Sequence, residues 1–105
     1  MRLTFYVGTE KDKLGKDIAS YSDVKGLRND ATCFLSRRFG GVTVQEGNGG
    51  WIDNNTLICE KCLIFTVESE KDISHFAVPT AEFLRELYSQ SAVCVSRTHS
   101  LVSFI

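Results

Sequence analysis

Arg2 to Val7 alternates strictly, with Leu3, Phe5 and Val7 on one face and Thr4 and Tyr6 on the other, which predicts a first strand. Gly8 to Tyr21 is polar and charged, carries Gly15, and reads as a long solvated loop; loops of this length in a compact domain often carry function. From Val24 the period changes. Leu27, Ala31, Phe34 and Leu35 follow at helical spacing and mark one buried stripe. Ser22 is placed to cap this helix and Asp23 suits its positive end. Arg37 and Arg38 suit the other end, and Gly40 suits the left-handed stop.

Val42 to Glu46 predicts a second strand, followed by Gly47-Asn48-Gly49-Gly50, then Trp51-Ile52, then Asp53-Asn54-Asn55. Two hairpins fit this stretch. The glycines make the turn, or they form a bulge or kink in one long strand that turns at Asp53 to Asn55. The strand-like Trp51-Ile52 favours the second. Leu57 to Glu68 is then a long third strand, with Leu63, Phe65 and Val67 on one face and Ile64 and Thr66 on the other. After a charged connector, Glu68 to Asp72, Pro79 fits the first turn of a second helix whose stripe is Ala81, Leu84, Leu87 and Tyr88. Ala92 to Val95 opens the last strand, and Thr98-His99-Ser100 reads as a tight turn into a short closing strand, Leu101 to Ile105.

The order strand, helix, strand, strand, helix, strand implies an α+β, ferredoxin-like βαββαβ fold. Residues 1–105 form a single such domain, an antiparallel sheet with two helices on one face, with an extra C-terminal hairpin strand as an option. A chain of 105 residues is long enough to bury a core without disulfide or metal staples.

Charge and composition narrow the function classes. Twelve Lys and Arg against thirteen Asp and Glu give a net charge of −1, which argues against nucleic acid as the main partner. No apolar run approaches the roughly 18 residues of a membrane span, and no signal-peptide core follows the first strand. A cytoplasmic protein with four reduced cysteines is expected.

Cys59-Glu60-Lys61-Cys62 is the one motif that suggests metal or redox chemistry. Zinc needs two further ligands, and Cys33, Cys94, His75 and His99 are scattered singly. A redox dithiol needs a helix N-terminus, whereas strand residues three apart point to opposite faces. Packed or half-exposed thiols are the simpler reading. Paired histidines of the ferredoxin-like phosphodiesterases need Ser or Thr two residues on, and here Ala77 and Leu101 stand there. Gly47 to Gly50 lacks the Lys-Ser/Thr of a P-loop. Arg28, Arg37 and Arg38 lie on one helix, but Cys62 to Glu68 lacks the aromatic signature of RNA-binding strands. No catalytic residue, metal site or cofactor follows from these patterns.

Phe39-Gly40-Gly41-Val42-Thr43-Val44, the Gly-x-Gly-x-Trp spacing of Gly47 to Trp51, the long third strand and Gln90-Ser91-Ala92-Val93 resemble a pattern in uncharacterised small proteins of bacteria and their phages. The resemblance implies a ferredoxin-like fold and a phage origin, and assigns no activity. Two functions are carried forward. The favoured one is a non-enzymatic binding module and homo-oligomer in the host cytoplasm, sequestering a small molecule or blocking a host defence protein. The alternative is a small enzyme acting on a phosphorylated or nucleotide-like substrate. A ligand site is expected at the loops, using Gly47, Asn48, Trp51, Arg97 and His99.

Overall fold

Strict alternation with one apolar set makes a strand that buries one face, and in Arg2–Gly8 (β1) Leu3, Phe5 and Val7 are fully buried. The computed structural model describes residues 1–21, 24–99 and 102–105. After β1 come α1 (Val24–Phe39), β2 (Thr43–Asp53), β3 (Thr56–Glu68), α2 (Ala77–Leu87) and β4 (Cys94–Thr98). Short 3₁₀ turns lie at Ile18–Ser20 and Ser74–Phe76. The sheet order is β2-β3-β1-β4, and every neighbouring pair is antiparallel. This is the ferredoxin-like arrangement.

Both helices pack on the face that carries Leu3, Phe5, Val7, Leu63, Phe65 and Val67. Ala31 and Leu35 of α1 and Ala77, Thr80 and Leu84 of α2 are buried there. Each large apolar side chain enclosed in this way contributes about 1.5–3 kcal/mol. Phe34 stacks on Phe83 with ring centroids 3.9 Å apart, and the Arg38 guanidinium lies over Phe34 and Phe76, so the helices are joined on their outer side too. Gly40 ends α1 with φ of 85°, a conformation that costs an L side chain about 1–2 kcal/mol. The Ser22 and Asp23 cap lies outside the described residues. No helix among the described residues is long and apolar enough to cross a membrane.

The structure differs from the expected pattern in four places. The glycine stretch is neither a turn nor a bulge: pairing runs without slip from Thr43↔Thr66 to Asp53↔Thr56. The turn is the pair Asn54-Asn55, with φ of 47° and 63°, the left-handed pair that a tight two-residue hairpin requires. Because those asparagines supply the reversal, the glycines of β2 stay in the ladder. β4 starts at Cys94, not Ala92, and the Gln90 side chain folds over Gly8, where a longer β4 would continue. Val102 to Ile105 form no strand; Phe104 instead borders the same shallow concavity as Gly40 to Thr43, largely exposed. Ser100 and Leu101, expected in that turn and strand, lie outside the described residues. Finally, the segment after β1 is not wholly solvated, since Ile18 is buried in the core.

Candidate functional site

Alternation on an unbroken β2 places Gly47, Gly49 and Trp51 opposite Cys62, Glu60 and Ile58, on the face that the helices leave open. Across β3 from Gly47, Cys62 pairs with Gly8 of β1. Gly8, Gly47 and Gly49 therefore carry no side chain on this face; the ends of Glu60 and Gln90 fill the space at Gly8 and Ile64 fills it at Gly47, while Gly49 stays open. Glycine inside a strand costs stability and marks places where something must approach the backbone closely. Gly8, Gly49 and Gly50 line a cleft of about 590 Å³ between the hairpin and the α2–β4 connection. Tyr6, Trp51, Ile64 and Cys94 wall it, and Glu60 and Gln90 supply polar groups. Trp51 and Tyr6 are 47% and 41% exposed, so both rings are available to a ligand.

The polar groups are held in place. Glu60 is only 8% exposed, and its Oε1 accepts the Glu10 N–H at 2.9 Å and the Lys11 N–H at 3.2 Å. In return the Glu10 carboxylate accepts the Lys61 N–H, and the Thr9 N–H donates to the Lys61 carbonyl. This reciprocal clasp ties the loop after β1 to β3. Gln90 Nε2 donates to the carbonyls of Lys11 and Tyr88, at 2.8 and 3.0 Å, which turns Oε1 toward Gly8. A Cβ on Gly8 would stand 2.8 Å from both Gln90 Oε1 and Glu60 Oε1. The acceptors around Gly8 are thus packed against the bare backbone.

Burial, and then the nearby Glu60 charge, push the Cys62 thiol above its ordinary pKa, so it stays a neutral thiol at physiological pH. Cys59, opposite Gly50, lies on the other face of the strand, so the Cys-x-x-Cys pair cannot act as one dithiol. All four cysteines are free. Among the described residues no group of three or more His, Cys, Asp or Glu side chains is placed to hold a metal ion.

Of the residues expected from the sequence, Asn48 and Trp51 line this cleft, and Gly47 sits beside it on β2. Arg97 and His99 do not join them. Arg97 pairs with Leu3 on the helix side of the sheet and lies near Val78, Ala81 and Arg85. His99 follows β4 near Asp72, whose carboxyl is held below its usual range by hydrogen bonds from the Ser74 hydroxyl and N–H, with smaller effects of His99 and His75. Leu3 and Gly8 are five residues apart on β1, about 17 Å, so the two groups sit at opposite ends of the sheet. Sequence reasoning missed Tyr6, Gly8, Glu60 and Gln90. One signal was available: Gly8 ends a strict alternation, and Glu60 is an acid on the face that also carries Ile58, Cys62 and Ile64.

No family model and no curated protein matches this sequence. Among solved structures, a phage SAM lyase in complex with S-methyl-5'-thioadenosine is similar, with a TM-score of 0.61 and 17% identity over 90% of this chain and 76% of that one. The apo state of a phage SAM lyase is similar too, with a TM-score of 0.57 and 17% identity over 90% of this chain and 75% of that one. This likeness establishes a shared fold. Both neighbours are phage proteins.

Proposed function

We propose that this chain is a small phage enzyme whose open-face cleft binds an uncharged or cationic nucleoside such as SAM and cleaves it as a lyase. The carrying observation is the pairing of two exposed aromatic rings, Tyr6 and Trp51, with a floor whose polar groups near Gly8 are acceptors. The rings suit a flat base or a cation over their faces. The Glu60 carboxylate and Gln90 Oε1 call for a ligand that presents donors or positive charge. A phosphate would face Glu60 instead. That favours a nucleoside over a phosphorylated substrate.

The phage SAM lyase neighbours support the enzyme reading over the non-enzymatic module favoured by the sequence alone. In such a cleavage the sulfonium–carbon bond breaks with both electrons going to sulfur, a neutral thioether leaves, and the substrate's own carboxylate oxygen bonds to the carbon it leaves and closes a lactone, so no external nucleophile or base is consumed. Glu60 holds and orients the sulfonium, and Trp51, two residues along β2 from the Gly49 that pairs with Glu60, stacks on the base. Cys62, kept neutral, takes no nucleophilic part.

Incubation with SAM and mass spectrometry of the products test this reading. Release of S-methyl-5'-thioadenosine is expected. Glu60→Gln keeps an acceptor for the Glu10 and Lys11 N–H groups but removes the charge, and should lower turnover at least tenfold in a folded protein. Trp51→Ala should weaken S-methyl-5'-thioadenosine binding about tenfold, the loss of one stacking partner. Binding of the thioether without turnover would restore the sequestering module, and no binding at all would sink both.

A further inference from the structure

The helix-facing side of the same hairpin carries a second concavity, which shares Asn48, Lys61 and Cys62 with the open-face cleft. It lies between α1 and β2–β3 and has a volume of about 390 Å³, within the range of small-molecule sites. Ile18, Val24 and Leu63 give it apolar lining, and Arg28 and Lys61 bring positive charge. Tyr88 also lines it, at 3% exposure, and its buried hydroxyl has no hydrogen-bond partner. An unpaired buried hydroxyl is destabilising, because it has given up its water partners without a replacement. Burial pushes its pKa up to about 12, which keeps it a neutral donor at any ordinary pH. Arg28 already holds a carboxylate: its Nη1 donates to Glu46 Oε1 at 3.1 Å, in a pair that is largely exposed. The guanidinium is therefore oriented for a carboxylate beside an apolar pocket with an unused donor.

We propose that this cavity is a second ligand site for a small monocarboxylate with an apolar body. The carboxylate sits on Arg28, assisted by Lys61 and the Tyr88 hydroxyl, while the apolar part covers Ile18, Val24 and Leu63. Glu46, on an exposed side chain, competes with the ligand for Arg28. Inorganic phosphate fits poorly, because it leaves the apolar lining uncovered and meets Glu46 with a second negative charge.

Amide chemical shifts of the full chain, followed during titration with benzoate, benzamide and inorganic phosphate, test the proposal. Benzoate should shift the Val24 and Leu63 signals saturably, and benzamide and phosphate should not. Arg28→Gln should weaken benzoate about tenfold, and Tyr88→Phe about fivefold with no loss of thermal stability. Glu46→Gln should tighten it at least threefold. That variant breaks the same ion pair as Arg28→Gln, so opposite effects on affinity separate a ligand role from a structural one. No benzoate binding, equal binding of phosphate or benzamide, weaker binding by Glu46→Gln, or indifference to Tyr88→Phe would each overturn the proposal. None of these outcomes bears on the open-face cleft.

Discussion

A single missing side chain governs the open-face cleft. Gly8 lets the ends of Glu60 and Gln90 close over the β1 backbone, and both ends are pinned by hydrogen bonds from or to the following loop. A flexible side-chain tip usually yields to a new methyl group. Here yielding breaks the Glu60 bonds to two backbone N–H groups or the Gln90 bonds to two carbonyls. Gly8→Ala should therefore cost about 1–3 kcal/mol in urea denaturation, and should displace Glu60 from the cleft. A loss of under half a kilocalorie would mean that the clasp is looser than its geometry. The sequence hinted at this residue only as the end of an alternating run; what stands beside it comes from residues 52 and 82 positions away. No local pattern encodes that approach.

At the scale of elements, the β2–β3 hairpin shows how one motif admits two readings. Gly47 to Gly50 and Asp53 to Asn55 both have turn composition, and the ladder uses only Asn54 and Asn55 to reverse the chain. The glycines serve instead as the empty side of a strand. Asparagine tolerates left-handed backbone at some cost, and glycine at less. Asn55→Gly should thus stabilise the protein by about 0.5 kcal/mol, and Asn54→Val should destabilise it by about 1–2 kcal/mol, measured as shifts in the urea midpoint. If the glycines were the true turn, neither substitution would matter. The expected hairpin end was right for the reason given, the strand character of Trp51-Ile52, while the expected bulge was not. A bulge leaves a register shift, and the pairing has none.

For the whole molecule, the core joins both helices and the sheet, and Tyr88 closes it where α2 ends. Its phenol pKa rises from an ordinary 10 to about 12, chiefly by burial. The folded state therefore keeps a proton that the unfolded chain loses between those values. Stability is whole below pH 10 and falls as pH rises toward 12, by at most about 1.4 kcal/mol per pH unit from this group. Tyr88→Phe should flatten the slope of unfolding free energy against pH in that window, relative to the parent; an unchanged slope would show that the phenol ionises freely in the fold. The sequence by itself determined the element order, the apolar faces of β1 and β3, the helix stripes and the exit of α1 at Gly40, because each depends on neighbours a few residues away. The tertiary structure alone decided which candidate residues meet. It gathered Gly47, Asn48 and Trp51 with Tyr6, Gly8, Glu60 and Gln90, and sent Arg97 and His99 to the far end. Meeting across strands depends on register and strand order, and those are set by the packing of the whole core rather than by any local run of residues.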